Sequence, residues 1–322
     1  MSTYGITHDL PFDPTYGYDL EQLLAIPLPN NEPADFDAFW TQLYQQTLST
    51  KLNIETRPSD FSNDKIEVKE VYYDTLDNTR IGSWLAIPRH QKITNIKVQG
   101  HGYGGREAPD LAIPDNTAVL FPVAPGFFIS AWKNIPGNSK EHVVYGIESK
   151  ETYVFRVCAA ALWSAASLMI ELFPDCADTL YYSGSSYGGG MGCLMLPWDK
   201  RYTKASLGLI SFCNHPVRVQ CECLGSGSAV KAYYERHPEV MEVLRYFDGA
   251  FAAKRIQVPT VFACAKFDPS VPPPGQFTAY NVCNATKRLS VSLTGHFDDQ
   301  YAEREEEQKR HEENCRELGV PI

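Results

Sequence analysis

The 322-residue sequence has no run of about 18 consecutive apolar residues, the length that a membrane-spanning helix needs. Residues 1–10 contain neither the basic segment nor the apolar segment of a secretory signal peptide. We therefore expect a protein that does not bind membranes and that is located in the cytoplasm.

A cluster of basic residues is also missing. Lys and Arg number 29 against 39 Asp and Glu, which gives a formal net charge of −10. A nucleic-acid-binding surface is normally basic, and no segment of this chain concentrates Lys or Arg. The charge pattern therefore argues against a nucleic acid as partner.

Cysteine is present in an odd number, nine, in a chain long enough to bury a large core without disulfides. Cys221 and Cys223 come nearest to a metal site, but no second pair of Cys or His follows at ligand spacing. We expect reduced cysteines, no bound metal and no organic cofactor.

Short apolar runs alternate with helical patterns along most of the chain. The runs that predict strands are 66–73, 80–87, 95–99, 117–124, 178–182, 205–210, 259–265 and 289–293. Helices are predicted at 35–47, 151–173, from 188 onward, and at 228–236, 275–283 and 303–318. Asp35 is expected to cap the first of these helices.

This alternation predicts the α/β class, with a mostly parallel central sheet and helices on both faces. The chain 1–322 is interpreted as a single domain. Within it, residues 1–60 form an N-terminal extension and residues 214–248 a cap-like insertion.

The pattern Gly-x-Ser-x-Gly occurs at 184–188, with Ser186 at its centre. A strand is predicted before it and a helix after it, so a sharp turn would lift the Ser186 hydroxyl out of the sheet, as in α/β-hydrolases. Ser185 is the rival hydroxyl, one position before the apex. The alternative is a glycine-rich turn that binds phosphate or only packs, but the Lys of a P-loop is missing. The pattern favours Ser186 as a nucleophile.

A serine nucleophile needs a base and an orienting carboxylate, which follow it in this fold in the order Asp or Glu, then His. His296 and Asp268 each follow a predicted strand, although an Asp before Pro is also common in turns. Of the other late histidines, His237 is expected at a helix end and His311 in a solvated helix.

An oxyanion requires two backbone N–H donors. The amide of Tyr187, directly after the nucleophile, is one candidate. The other is expected in the glycine-rich loop 99–105, which follows an early strand. His101 in this loop is expected to be structural rather than a second base.

This ordered set of motifs resembles the acetyl xylan esterase and cephalosporin C deacetylase family, carbohydrate esterase family 7, over most of the chain. The segments that carry the resemblance are 35–40, 101–105, 146–148, 184–189, Asp268 with 272–273 and 280–281 behind it, and His296. The resemblance implies a triad of Ser186, Asp268 and His296, and oxyanion donors at the backbone N–H groups of Tyr103 and Tyr187.

Three positions depart from the family pattern. Tyr187 stands where the family usually has Gln, and Phe297 where Glu usually follows the catalytic His. Residues 124–128 read Ala-Pro-Gly-Phe-Phe where the family's Arg-Gly-Gln motif should fall. The change removes an expected ion pair or hydrogen-bond hub, so the chain is interpreted as a divergent member.

These residues predict a serine esterase that removes short acyl groups, acetyl first among them, from a carbohydrate or similar alcohol. The expected substrate is a small-molecule or oligosaccharide ester. A peptidase or longer-acyl esterase on the same scaffold, and a non-catalytic binding protein with this fold, are the alternatives. The resemblance further implies a homo-oligomer, such as a hexamer.

Overall fold

The computed structural model describes residues 2–297 and 301–321. The strands are β1 (Ser2–Thr3), β2 (Ile6–Thr7), β3 (Glu55–Pro58), β4 (Ile66–Thr75), β5 (Thr79–Pro88), β6 (Asn95–Gln99), β7 (Thr117–Pro122), β8 (Leu180–Ser185), β9 (Lys204–Gly208), β10 (Thr260–Phe267) and β11 (Lys287–Thr294). The α-helices are α1 (Leu20–Leu24), α2 (Phe36–Ser49), α3 (Ser139–His142), α4 (Phe155–Leu172), α5 (Tyr187–Met195), α6 (His215–Arg218), α7 (Gly227–Arg236), α8 (Met241–Leu244), α9 (Gly249–Ala253), α10 (Pro273–Val282) and α11 (Arg304–Glu317). Short 3₁₀ helices occur at Leu76–Asn78, Phe128–Ser130, Pro174–Thr179, Pro238–Val240 and Arg245–Phe247.

The central sheet has the strand order β11-β10-β9-β8-β6-β7-β5-β4-β3. The strands from β11 to β7 run parallel to one another, and β5, β4 and β3 join by antiparallel pairing. Strands β1 and β2 form a separate antiparallel pair. The predicted α/β fold with a mostly parallel sheet is confirmed.

The turn between β4 and β5 has the residues that its backbone requires. Asp77 and Asn78 have φ values of 57° and 50°. Asn and Asp tolerate this left-handed conformation better than other residues with a side chain. The strands on either side are in register from Thr75 with Thr79 to Ile66 with Pro88.

The two faces of the sheet are covered differently. On one face, called here the packed face, the Tyr182 hydroxyl donates to the carbonyl of Gly188 in α5. On the other, the open face, Val261 packs against Cys315 of α11. The crossover 100–116 from β6 to β7 contains no helix among the described residues. The open face is therefore thinly covered near the carboxyl ends of the central strands.

Asp35 lies at the N-cap position of α2 as predicted, but its side chain does not make the hydrogen bond expected of a cap. Instead it accepts hydrogen bonds from Lys150, at 3.1 Å, and from the Tyr246 hydroxyl. Two strong donors from other parts of the chain thus compete successfully with the helix N–H groups. The helix is fixed by Trp40, whose buried indole N–H donates to the carbonyl of Tyr246.

The segment 214–248 lies between β9 and β10 and contains α6, α7, α8 and two 3₁₀ turns. Its two ends meet at the buried carboxylate of Asp248. This carboxylate accepts hydrogen bonds from the backbone N–H groups of Asn214 and His215, both at 2.7 Å, and of Ala250 at 2.9 Å. Asp248 therefore positions the start of α6 as well as the start of α9.

Helix α4 is the one described helix that is long and apolar enough to cross a membrane by length and composition. Within the protein, 72% of its tested window is buried. The core helix of a globular protein satisfies the same criteria, so this property is weak support for a membrane span.

Candidate active site

Ser186 occupies the sharp turn between β8 and α5, with φ 58° and ψ −118°. This conformation is strained for a residue with a side chain. The turn is held because the Ser186 N–H donates to the Gly208 carbonyl at 2.9 Å and its own carbonyl accepts from Gly190 at 3.0 Å. A Cβ on Gly184 would lie only 2.7 Å from the carbonyl carbon of Gly188, so the turn requires glycine at position 184.

The structure brings Ser186, His296 and Asp268 into one hydrogen-bonded chain. The Ser186 Oγ lies 3.0 Å from His296 Nε2. On the other side of the ring, His296 Nδ1 lies 2.9 Å from Asp268 Oδ2 and 3.1 Å from Oδ1. The acceptor at Nδ1 assigns the ring proton to that nitrogen and leaves Nε2 to accept from the serine hydroxyl. Ser185, the rival hydroxyl, has no hydrogen-bond partner among the described side chains.

The surroundings of His296 suit a general base. Burial by itself lowers the pKa of His296, but the hydrogen bond and the negative charge of Asp268 outweigh it and raise the pKa above its usual value. Asp268 is fully buried. A buried carboxylate next to the ring stabilises the imidazolium that forms when Ser186 gives up its proton.

Asp268 is itself held on several sides. Its Oδ1 accepts from the backbone N–H groups of Ser270 and Val271, each at 2.9 Å, and its Oδ2 from the Gln276 side chain at 3.1 Å. A Cβ on residue 295 would lie 2.1 Å from Oδ2, so Gly295 is needed for the close approach of the histidine loop. These contacts fix the carboxylate where His296 meets it.

The N-terminal segment also reaches this carboxylate residue. The backbone N–H of Asp268 donates to the carbonyl of Pro14 at 3.2 Å. Nearby, the Tyr16 hydroxyl donates to the carbonyl of Glu222 at 2.6 Å. The segment around Pro14 therefore supports the acidic end of the Ser186–His296–Asp268 hydrogen-bonded chain.

The loop 100–105 and the start of α5 contain the two backbone N–H groups that are predicted to bind an oxyanion. The two segments are joined because the Gly188 N–H donates to the His101 carbonyl at 2.9 Å. Within the described residues, the backbone N–H groups of Tyr103 and Tyr187 have no hydrogen-bond acceptor. Both are therefore available to a ligand, as an oxyanion hole requires.

The side chains of these two tyrosines form an aromatic cluster with His142. The rings of Tyr103 and Tyr187 stack with centroids 4.5 Å apart. The Tyr103 hydroxyl donates to His142 Nδ1 at 2.9 Å, and His142 Nε2 donates to the Pro125 carbonyl at 3.0 Å. Burial lowers the pKa of His142 to about 4, so the ring is neutral and can bridge the Tyr103 hydroxyl and the Pro125 carbonyl.

This cluster fills the region where the chain departs from the family pattern. The Phe127 ring lies 5.1 Å from the His142 ring, and Pro125 provides the carbonyl that the histidine binds. Tyr187 stacks where a Gln was expected. A hydrogen-bonded histidine among aromatic rings therefore connects the segment 124–128 to the Tyr103 loop.

His101 is placed as a structural residue. Its Nε2 accepts from the Ala124 N–H at 2.9 Å, and its Nδ1 donates to the Gly102 carbonyl at 2.6 Å. Burial lowers the pKa of His101 to about 4. With both nitrogens bonded to backbone, the ring holds the loop and has no lone pair for Ser186.

Neither of the other two late histidines is hydrogen-bonded to Ser186 in the described structure. His237 ends α7 and is exposed, with Nδ1 at 3.5 Å from Glu239. The expectation that His311 is solvated is wrong, because the inner side of α11 packs on β11 and half-buries the ring. Its Nδ1 lies 3.0 Å from the Ser290 Oγ. Phe297 packs on Phe267 at 5.1 Å.

Two cavities meet at Ser186 and His296. The active-site pocket, about 320 Å³, is bounded by the Tyr103 loop, Ser139, Ser211, Arg218, Ser226 and Ser270. The sheet-face cleft, about 710 Å³, follows the open face and is lined by Gln99, Ser183, Ser185, Ser206, Ser292 and Thr294. Ser186 and His296 thus line both cavities.

Cysteines and acids do not gather elsewhere in a way that suggests a metal. Within residues 2–297 and 301–321 no group of three or more His, Cys, Asp or Glu could hold a metal ion. All nine cysteines are buried and outside disulfides. Burial raises the pKa of the Cys221 thiol to about 11 and also raises that of Cys223.

Sequence reasoning missed several residues around the hydrogen-bonded chain. Gln276 is buried and contacts Asp268, His142 positions the Tyr103 side chain, and Arg218 lies on the pocket wall. Gln276 and Arg218 are polar residues within helices, and nothing in the linear pattern distinguishes them from surface residues. Gly295 directly precedes His296, so a tight approach could have been inferred there.

The sequence matches the family model described as Acetyl xylan esterase (AXE1) at residues 15–116 and 130–314. The two matched ranges cover most of the chain. They leave out 117–129, which contains the segment 124–128.

Solved structures share the fold. An acetyl xylan esterase from Paenibacillus sp. R4 has a TM-score of 0.80 at 22% identity, over 95% of this chain and 100% of that chain. Acetyl xylan esterase 1 from Thermoanaerobacterium sp. JW/SL YS485 has a TM-score of 0.77 at 19% identity, over 94% and 99%. Oligopeptidase B from Leishmania major has a TM-score of 0.57 at 13% identity, over 82% of this chain and 38% of that chain. At these identities the likeness establishes the fold.

Proposed function

The chain belongs to the acetyl xylan esterase family, and from this premise we propose that it removes acetyl groups from a carbohydrate or similar alcohol with Ser186 as nucleophile. The observation that carries the proposal is the hydrogen-bonded chain from Ser186 through His296 to Asp268. Its position at the meeting point of two cavities gives an ester access to the serine hydroxyl.

In the proposed mechanism His296 Nε2 takes the proton of Ser186 as the Oγ attacks the acetyl carbonyl. The backbone N–H groups of Tyr103 and Tyr187 donate to the oxyanion of the tetrahedral intermediate. His296 then gives its proton to the departing alcohol oxygen, and an acetyl ester on Ser186 remains. Water, deprotonated by His296, attacks this ester and releases acetate.

The mechanism predicts that Ser186→Ala lowers kcat for p-nitrophenyl acetate by roughly 10⁴-fold or more, because no other hydroxyl of the described residues is hydrogen-bonded to His296. Nitrophenol release measured by absorbance checks this. Ser185→Ala is the matched control and is expected to stay near the wild-type rate. Full activity of Ser186→Ala would contradict the proposal, and so would failure of a fluorophosphonate probe to label Ser186 in the wild type.

The pH dependence follows from the raised pKa of His296. Only the neutral ring can accept a proton, so kcat/KM should fall as the pH drops through a midpoint above 6.5, the usual pKa of histidine. In Asp268→Asn the charge that raises the pKa is removed, so the midpoint should move to lower pH and kcat should fall by about 10⁴-fold. An unchanged midpoint in this variant would assign the pH dependence to another group.

A peptidase or a longer-acyl esterase would use the same three side chains. A series of p-nitrophenyl esters from acetate to decanoate, with an aminoacyl amide alongside, separates these functions. We expect the rate to be highest for acetate and to be absent for the amide. Acetylated xylo-oligosaccharides, compared with the aryl ester, test the carbohydrate part of the proposal.

The family resemblance also leads us to propose a homo-oligomer, hexameric in form. We further propose, independently of the resemblance, that the protein is located in the cytoplasm. Light scattering of the eluting peak in size-exclusion chromatography measures the mass directly. A peak at the 36.1 kDa of one chain would contradict the oligomer.

A further inference from the structure

Arg218 is a buried cation on the wall of the active-site pocket. Only 8% of its surface is exposed. Its guanidinium donates no hydrogen bond to any described residue, and the buried Nη1 is left without a partner. Buried charges in proteins are normally paired, so an unpaired guanidinium beside a nucleophile is a candidate ligand site.

The position of the guanidinium is fixed even though its N–H groups are unsatisfied. Arg218 ends α6, and its backbone N–H donates to the carbonyl of Asn214 at 2.8 Å. Its Cζ lies over the ring of Phe212 at 5.2 Å. Stacking on an aromatic face stabilises the cation without using its N–H groups as donors.

The acids nearby are already engaged. Asp248 accepts three backbone N–H donors, and Arg218 acts on it only through space. Asp268 binds His296, Gln276 and two backbone amides. Among the described residues neither carboxylate forms an ion pair with Arg218.

The remainder of the pocket wall carries no negative charge. Its described side chains are serines, glycines, Tyr103, Val271 and His296, with no Asp or Glu among them. In a chain with a net charge of −10, the active-site pocket therefore contains one cation, Arg218, and no acidic side chain among its described lining residues. The volume of about 320 Å³ is sufficient for a ligand of the size of one sugar ring.

We propose that Arg218 binds a carboxylate of the substrate, so that the protein prefers acetyl esters of anionic alcohols, such as acidic sugars, over neutral ones. A carboxylate matches the planar fork of the guanidinium with two parallel hydrogen bonds. The inference rests on the proposed function and names the substrate class for that site.

The first test compares matched esters on the wild-type protein. The pairs are 3-acetoxybenzoate with 3-acetoxybenzamide, and 4-acetoxybenzoate with 4-acetoxybenzamide, which differ in charge but hardly in size. We expect kcat/KM to be at least tenfold higher for the benzoate of one pair, and this preference to shrink in high salt. Equal values in both pairs would overturn the inference, while hydrolysis of p-nitrophenyl acetate would show that the esterase function stands.

The second test uses variants of the same position. Arg218→Gln should lower kcat/KM for the preferred benzoate by tenfold or more, through KM, and change the benzamide by less than threefold. Arg218→Lys should restore part of the preference, since it keeps the charge but loses the fork. The control is Arg236→Gln, which removes one exposed charge at the end of α7 and should leave both rates unchanged.

A purely structural role for Arg218 predicts a different result, an equal loss for benzoate and benzamide accompanied by a lower melting temperature. That result would overturn the inference. Competitive inhibition of the wild type by 3-hydroxybenzoate, compared with 3-hydroxybenzamide, gives a readout that does not depend on the variants folding. Tighter inhibition by the benzoate is expected, and equal inhibition would contradict the proposal.

Discussion

Two consecutive residues of β8 show how different the faces of the sheet are. Tyr182 points to the packed face, has no exposed surface, and donates to the Gly188 carbonyl at 2.6 Å. Ser183 points to the open face, lines the sheet-face cleft, and has no hydrogen-bond partner among the described side chains. The same contrast recurs on β9 between Leu207, which is fully buried, and Ser206.

The difference between the two faces explains why polar and apolar side chains alternate along these strands. Parallel strands are usually covered on both faces and are apolar throughout. Here the crossover 100–116 provides no helix in the described structure, so the carboxyl half of the open face meets solvent. Serine hydroxyls can form hydrogen bonds with water there, whereas apolar side chains would leave a large exposed hydrophobic patch. Alternation of polar and apolar side chains within parallel strands therefore indicates that part of one face has no covering helix in the described structure.

Leu207→Ala should give the largest loss of stability that the comparison predicts. Leu207 is fully buried in the main core, and a methyl group added at Gly192 would lie 2.9 Å from it. Removing three carbons from such a site costs about 2–5 kcal/mol. Urea unfolding followed by tryptophan fluorescence measures this. A loss below about 0.5 kcal/mol would mean that the packed face is not tightly packed.

Two buried histidines make the stability of the protein depend on pH. Burial lowers the pKa of His101 and of His142 to about 4, against 6.5 for an exposed histidine. As the pH falls below 6.5 the unfolded chain takes up protons first, so the stability present above 6.5 is lost progressively towards pH 4. Each ring contributes roughly 3 kcal/mol to this loss.

Urea midpoints measured at pH 7.5, 6 and 5 should therefore fall, and His142→Asn should make the fall shallower. This variant can destabilise the protein at every pH, but the slope reports the proton alone. A slope that does not change in His142→Asn would show that the ring is protonated in the folded state.

The smallest effect is expected on the open face. Ser183→Ala should change the free energy of unfolding by no more than about 0.5 kcal/mol, since removing the hydroxyl breaks no hydrogen bond to a described side chain. Ser206 is less suitable for this test because it interacts with Cys315. If Ser183→Ala lowered the free energy of unfolding by more than about 1.5 kcal/mol, the Ser183 hydroxyl would have a buried hydrogen-bond partner. The open face would then not differ from the packed face in this respect.

Much of the fold could be predicted from the sequence because its signals are local. The strand before Ser186, the glycines around it and the order Ser, Asp, His follow from periodicity and from the positions of strand ends. The turn at Asp77 and Asn78 also has a local cause, since both residue types accept left-handed backbone. Helix and strand bounds differ from the predictions by a few residues, since the ends depend on packing.

The remaining features depend on contacts between distant parts of the chain. Asp35 was assigned to a helix cap, but Tyr246 and Lys150 bind it more strongly. His311 was expected in water, but β11 covers it. Arg218 and His142 gain their surroundings only when distant segments of the chain meet, and no short sequence pattern predicts these contacts.

The hydrogen bond between Pro14 and Asp268 has a consequence for biosynthesis. The ribosome makes position 14 long before it makes the partner at position 268, which lies 254 residues further along the chain. At about 5–20 residues per second, that separation lasts on the order of tens of seconds. During this time the N-terminal segment lacks its partner. The centre at Ser186 is therefore assembled only late in translation, and a nascent chain that stalls before His296 stays inert.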